Sequence, residues 1–301
     1  MIGFVVNPVS GNGRGLKVWH EIKNILNEKD INYVESFTNR AGSGVACTMD
    51  LIKKYEPNII VAVGGDGTVH EVINGIYQAE IKNKVHFGFI PSGSGNDYAR
   101  GVKLPRHHLK ALEVILNSTQ RKSIDLLKID NKVAVCSIGA GLDGKIAQIT
   151  NEAKYKKWLN GLRLGGLAYV ISLFRVLFSF RTSDIALTID GEVKQLKNVW
   201  FIAVSNLPYY GGGMIINPNA NENDEKAEVC IVSNINRLQL LTLFPLVYLG
   251  KHAKHKAVSF FAGENIEYEP NHYLTTQADG ETIIVNKYKI EVLPQHITVV
   301  K

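Results

Sequence analysis

The first part of the chain alternates short, wholly apolar runs with longer stretches of helical periodicity. Residues 2–7, 32–37, 59–63 and 86–90 read as strands, and residues 18–28, 45–55 and 69–78 carry apolar positions at three- and four-residue spacing, as amphipathic helices do. Strands that are apolar on both faces and separated by helices predict a parallel sheet covered on both sides. Each strand empties into a polar, glycine-rich loop, so these loops should meet in one crevice at the carboxyl ends of the strands. Beyond Asp125 the pattern shortens. Residues 127–137, 185–189, 199–205, 228–232, 258–261, 266–269 and 274–278 are brief β patterns punctuated by Asn, Asp and Gly, which predicts an antiparallel sandwich. The expected fold is therefore α/β plus all-β: a three-layer α/β nucleotide-binding domain over residues 1–126 and a β-sandwich substrate domain over 127–301, with a cleft between them. The last segment, 288–300, is assigned to the second domain, with a return to the first left open.

With 301 residues, 45% of them hydrophobic, the chain can build real cores. No repeat or low-complexity tract appears. Cys47, Cys136 and Cys230 are odd in number, far apart and outside any metal-ligand spacing, which argues against a disulfide framework or zinc site and fits a reducing cytoplasm. The N-terminus enters a strand pattern without a basic leader, so no cleavable signal peptide is expected.

The net charge of +6 admits nucleic acid, an anionic membrane or an anionic substrate as partner. Its distribution favours the membrane. Residues 153–183 hold Lys154, Lys156, Lys157, Arg163, Arg175 and Arg181 among Trp158, Leu162, Phe174 and Phe178, with no acidic residue, a mixture suited to a lipid headgroup boundary and not to DNA. The apolar run 164–180 contains Arg175 and is short for a bilayer span, so it reads first as a buried helix and next as a peripheral membrane contact; the protein as a whole is expected to associate peripherally with the inner face of the membrane. Monomer and homodimer both remain open.

The candidate chemistry starts at residues 61–71, where an apolar strand runs into Gly64-Gly65-Asp66-Gly67-Thr68 and then a helix. Glycines let the backbone approach an anion, the helix start offers free N–H groups, and Asp66 can hold a cation beside phosphates. A second loop, from Asn7 through Pro8, Val9, Ser10, Gly11 and Asn12 to Gly15, has neither the dinucleotide nor the Walker A spacing, yet can line a nucleotide. A third, residues 91–100, brings Ser94, Asn96 and Asp97 to the same crevice. Asp66 and Asp97 crowded there call for a cation, and Mg²⁺ commonly takes one or two carboxylates plus phosphate oxygens and water. Asp125 is a third candidate, with a plain strand-end acid as its alternative. Asp279-Gly280-Glu281 reads by itself as a hairpin turn, and His252 and His255 as part of a solvated basic loop.

In this order Asn-Pro-x-Ser-Gly (7–11), Gly-Gly-Asp-Gly-Thr-x-x-Glu-Val (64–72), Pro-x-Gly-Ser-Gly-Asn-Asp-Tyr-Ala-Arg (91–100), Tyr-Gly-Gly-Gly-Met (210–214) and Asp-Gly-Glu (279–281) resemble the diacylglycerol kinase catalytic-domain family along essentially the whole chain. The resemblance implies an ATP- and Mg²⁺-dependent lipid kinase, with diacylglycerol as the first-choice acceptor. It assigns ATP contacts to Pro8, Val9, Ser10, Gly11, Asn12, Thr38, Gly65, Asp66, Gly67, Thr68, Val69, His70, Glu71 and Ser94. It assigns the catalytic metal and its waters to Asp66, Asp97 and Asp125, the general base to Glu281, and the shaping of that site to Asp279. A second, structural Mg²⁺ is implied at Asn221, Asp224 and Lys226, although Glu225 stands where relatives carry glycine. His70 replaces the usual Asn, and Ser94 or Gly95 the usual Thr. The rivals are an NAD kinase, which shares the Gly-Gly-Asp-Gly-Thr loop, and a catalytically weak lipid- or nucleotide-binding regulator.

Overall fold

The structure is a computed structural model that describes residues 1–80, 85–153 and 165–301. The chain divides into two units, Met1–Ile124 with Gln295–Lys301, and Asp125–Pro294.

In the first unit β1 (Ile2–Val6), β2 (Tyr33–Phe37), β3 (Ile59–Gly64) and β4 (His86–Pro91) form a parallel sheet in the order β4-β3-β1-β2. The fully buried runs of β1, β3 and β4 are what a sheet covered on both faces requires. Phe4 and Val6 lie in register with Val61 and Val63, and these four pack with Val18, Trp19 and Ile22 of α1 (Ser10–Glu28) and Leu112 and Ile115 of α5 (His108–Asn117). The intervening residues, Val5 and Ala62, point to the opposite face, since side chains alternate along a strand. There α2 (Ser43–Tyr55) and α3 (Asp66–Gln78) pack against each other and against β1 and β3. A short α4 (Asp97–Gly101) follows β4. The chain leaves this unit within β5 (Arg121–Ile129) and returns at the end of β17 (Lys289–Val300), where Thr298 and Val299 pair in parallel with His86 and Phe87 of β4.

The second unit is antiparallel. After β6 (Lys132–Ala134) and β7 (Ser137–Gly141) come α6 (Leu142–Glu152) and α7 (Gly165–Leu177), then β8 (Ser183–Ile189), β9 (Glu192–Ser205), β10 (Tyr209–Tyr210), β11 (Met214–Ile215) and β12 (Ala227–Ser233). Helix α8 (Arg237–Val247), β13 (Val258–Gly263), β14 (Asn265–Pro270), β15 (Thr276–Ala278) and β16 (Glu281–Ile283) complete it. The pairing order β16-β15-β7-β9-β8-β14-β17 is joined by β12 and β13 at β9. Alternation decides the two faces: Ile202, Val204, Val229 and Ile231 point into the sandwich core with Leu127, Ile129, Tyr268 and Ile290, while Ala203, Cys230 and Val232 point into a helical layer with Leu173, Leu177, Leu240 and Leu243, which Trp200 joins because the pairing of β9 with β12 shifts register beside it. The α/β and β-sandwich classes expected from the pattern are the classes observed. The first half of β9 is a polar, half-exposed stretch, which is why the pattern reveals only residues 199–205 of it.

Candidate active site

The sequence Gly11-Asn12-Gly13 holds three successive left-handed residues, φ 56°, 60° and 84°, which break the first turn of α1. Glycine and asparagine are the residues that tolerate this region. The kink lays the loop against the third glycine loop: Ser10 Oγ lies 2.7 Å from Ser92 Oγ, and Arg14 donates from Nε to Ser92 O at 3.2 Å and from Nη2 to Gly93 O at 3.0 Å. A Cβ on Gly11 would run into Ser92 O, and one on Gly93 into the Cα of Gly65. Ser92 N and Gly93 N both donate to Gly64 O, at 2.7 and 3.0 Å. Asn7 Nδ2 donates to Thr68 Oγ1 at 3.1 Å. The three loops are therefore gathered at the strand ends as expected, at distances that side chains on these glycines would forbid.

Around them, Asp66 Oδ1 accepts from Tyr98 N at 3.0 Å, which brings Asp66 to the residue beside Asp97. The buried Asp97 carboxylate pairs with Arg100. Gly65, the N-cap of α3, offers its helix no side-chain hydrogen bond. Asn96 Oδ1 is buried without a hydrogen-bond partner among the described residues. Ser94, Val9 and Asn12 are exposed, Pro8 is half-buried, and Thr38 is buried just past β2, where its N–H donates to Val6 O. Val69 and His70 have buried side chains, His70 packing with Asn74, so what these two can offer a ligand is backbone. The Glu71 carboxylate is engaged by Gly42 N at 2.7 Å and Gly44 N at 2.6 Å, at the start of α2. Its contribution is to hold that helix start.

Asp125 belongs to the second unit and is fully buried. Its N–H donates to Glu222 O, and its Oδ2 accepts from Glu225 N, both at 2.8 Å. Glu225 sits at φ 65°, so the loop keeps a conformation natural to glycine with glutamate in place. Asp224 is exposed and its Oδ1 accepts from Lys226 N at 3.2 Å; Asn221 and Lys226 are exposed as well. Burial, with Asp224 nearby, raises the pKa of Glu228. No group of three or more His, Cys, Asp or Glu side chains able to hold a metal occurs among the described residues.

Asp279 (φ 50°) and Gly280 (φ 87°) form the two-residue turn between β15 and β16, the positive-φ pair that such a hairpin demands. The Asp279 carboxylate accepts from Val135 N (3.0 Å), Cys136 N (2.8 Å) and Ser137 N (3.1 Å), which clamps the hairpin to the start of β7. Glu281, two residues on, is exposed. The pattern reading missed the support behind this turn. Gln277 Oε1 accepts from Gly280 N at 2.6 Å, and Gln277 Nε2 donates to Asp143 Oδ2 at 2.9 Å. Asp143 is half-buried, and burial raises its pKa against hydrogen bonds from Gln277 and Tyr210 that lower it. An aspartate at the end of the otherwise uncharged run 138–144 was the available signal.

One expectation needs correction. His252 is not in a solvated loop: it is buried, its Nε2 lies 2.9 Å from Ile216 O, and burial lowers its pKa. Lys154, Lys156, Lys157, Trp158, Leu162 and Arg163 lie outside the described residues.

The chain is an α/β unit with interlocked glycine loops followed by an antiparallel sandwich, an arrangement that by itself leaves the chemistry open. The likenesses to known proteins narrow this. Residues 1–129 match the family model "Diacylglycerol kinase catalytic domain", and residues 136–301 match "YegS C-terminal NAD kinase beta sandwich-like domain". "Putative lipid kinase YtlR" of Bacillus subtilis is 28% identical, with 98% of each chain covered. "Diacylglycerol kinase" of Staphylococcus aureus is 31% identical over 225 residues, 74% of this chain and 68% of that one. A crystal structure of a diacylglycerol kinase from Bacillus anthracis has the same fold, with TM-score 0.74 and 21% identity over 99% of this chain and 96% of the other. The chain belongs to the diacylglycerol kinase catalytic-domain family, and is a lipid kinase that transfers phosphoryl groups to an alcohol acceptor.

Proposed function

We propose that the protein uses ATP and Mg²⁺ to phosphorylate a membrane lipid hydroxyl, diacylglycerol first among the candidates, giving phosphatidic acid. The observation that carries the nucleotide part is the mutual contact of the loops at 7–15, 64–68 and 91–97, with no side-chain cap on α3 and a buried, unpaired Asn96 Oδ1 among them. An uncapped helix start beside side-chain-free backbone suits phosphate oxygens. Pro8 to Asn12, Thr38, Gly65 to Thr68 and Ser94 would line the nucleotide, with Val69 and His70 acting through backbone and Glu71 through the α2 loop. The donor set fits Mg²⁺, which needs only one or two carboxylates when phosphate and water complete its shell. Asp66 and Asp97 would hold it, and it would neutralise there the charge of the transferring phosphoryl group. A structural Mg²⁺ at Asn221, Asp224 and Lys226 belongs to the same reading.

Glu281 is the general base in this reading. Its exposed carboxylate stands on a turn fixed by Asp279 and Gln277, so it can take the proton of a lipid hydroxyl while its position is held from behind. Asp279 is a positioning residue. The active form is expected at the cytoplasmic face of the membrane.

The test is incubation of the pure protein with labelled ATP and mixed micelles of diacylglycerol, phosphatidylglycerol, a sphingoid base or undecaprenol, with Mg²⁺ or with EDTA. Phosphatidic acid formed only with Mg²⁺ is expected. Asp66→Asn should remove most of it, and Glu281→Gln should lower kcat by about 10²- to 10⁴-fold with ATP binding kept. Phosphorylation of NAD at a rate comparable to any lipid, or full turnover in either variant, would refute the reading.

A further inference from the structure

Helix α8 is apolar on both sides. Leu240, Leu243 and Val247 are buried in the helical layer, while Leu238 (72% exposed), Pro245, Tyr248 and Leu249 (63% exposed) face outward around a single Thr242. Residues 238, 242, 245 and 249 are spaced by four, three and four, so they form one stripe along the helix and its exit. Arg237 donates from Nε to Leu177 O at 3.1 Å and from Nη2 to Phe180 O at 3.2 Å, which sets the end of α7, with Phe178 66% exposed, beside the start of this stripe. At the other end the helix stops at Val247, the chain turns through Gly250, φ 65°, and the segment that follows exposes Lys251, Lys254 and Lys256. None of these three lysines has an ion-pair partner among the described residues. From Val229 to Gly263 the sequence holds no Asp or Glu.

An exposed apolar stripe bordered only by cations has one natural counterpart. Single exposed leucines need no explanation, but a contiguous row marks an interaction surface. Apolar side chains enter the acyl boundary while lysines meet anionic headgroups, and an aromatic hydroxyl such as Tyr248 suits the level between. A protein partner would be expected to find carboxylate or mixed-charge contacts at the rim, and this rim carries one sign only. We propose that the outer face of α8, with Lys251, Lys254 and Lys256, is the surface by which the protein docks on an anionic lipid bilayer. The purpose of docking rests on the lipid-kinase reading, but the binding itself can be measured without ATP.

The experiment is co-sedimentation of the full chain with phosphatidylcholine vesicles and with equal mixtures of phosphatidylcholine and phosphatidylglycerol, in low and high salt. The protein should follow the anionic vesicles, and less so as salt rises, because exposed charges are screened within about 8 Å at physiological ionic strength. Changing Lys251, Lys254 and Lys256 together to Gln should weaken anionic-vesicle binding roughly 100-fold, three lysines each acting near a charged surface. The pair Leu238→Ser and Leu249→Ser should weaken binding at every salt concentration. All five residues are exposed, so circular dichroism should show unchanged folds, and turnover on micellar lipid should persist. Vesicle binding unaffected by both variants overturns the proposal. So does a dimer in ultracentrifugation that the Leu238/Leu249 variant dissolves with vesicle binding intact, since a second copy would then cover the stripe. A protein that docks through these residues yet phosphorylates no lipid would sink the kinase reading and leave the surface standing.

Discussion

Removing the Asp279 carboxylate should cost more stability than removing any exposed acid in the second unit. Its two oxygens accept three backbone N–H groups, from Val135, Cys136 and Ser137, all of them buried. A buried donor left unpaired costs roughly 1–3 kcal/mol. Because Asp279 is half-exposed and water can reach part of the gap, the lower half of that range applies, about 3–6 kcal/mol for the three together. That is a large share of the roughly 5–15 kcal/mol by which a domain is stable. Three substitutions separate the contributions. Asp279→Asn keeps one oxygen, enough for Cys136 and Ser137, and should lose about 1–2 kcal/mol with the Val135 bond. Asp279→Gly loses all three bonds but accepts φ 50° freely, and Asp279→Ala adds roughly 1–2 kcal/mol of left-handed strain to the same loss. The second unit can be followed in urea by the fluorescence of Trp200 after Trp19 and Trp158 are changed to Phe, which avoids treating two units as one transition. The order of stability should be Asp, Asn, Gly, Ala. An alanine variant within 1 kcal/mol of the parent, or no difference between Gly and Ala, would refute the argument that this carboxylate clamps the turn.

Asp143 gives a pH signature. Its folded pKa is raised by burial, so between the unfolded and folded values the unfolded chain releases the proton first, and stability falls as pH rises through that window. Asp143→Asn removes the titration, and urea midpoints across the acid range should show a flatter profile with equal or higher stability at neutral pH. Glu225→Gly should relieve a left-handed residue worth roughly 1–2 kcal/mol, partly offset by the greater freedom of glycine in the unfolded chain; a thermal melt showing a loss exceeding 1 kcal/mol would mean that the Glu225 side chain holds the loop.

The parts of the fold that follow period and punctuation are legible in the sequence. Strands β1, β3 and β4 are continuous apolar runs, and the glycine loops after them carry their own reason for being there. What is not legible is partnership over long separations. Arg14 reads as a loop cation, and only the fold shows it on Ser92 O and Gly93 O. Glu71 lies inside the Gly-Gly-Asp-Gly-Thr-x-x-Glu motif, yet two N–H groups of another helix start take its oxygens. The pairing of Gln277 with Asp143 is silent because a local pattern cannot bring residues 134 positions apart into one hydrogen bond. His252 sits in a run of charges and turns inward, where a basic composition hides a single buried ring.

The return of the C-terminal end to the first unit bears on how the protein is made. Thr298 and Val299 supply the neighbour of β4, and Ser118 Oγ donates to Lys301 O. Until those residues have left the ribosome, β4 is an open edge with unpaired N–H and C=O groups, the kind of surface that recruits stray strands. The usual order of synthesis, in which the leading domain settles first, is thereby reversed: Asp125–Pro294 can fold while Met1–Ile124 still waits for its last strand. A chain released before Thr298 and Val299 are made would carry all three glycine loops but would leave β4 without this neighbour.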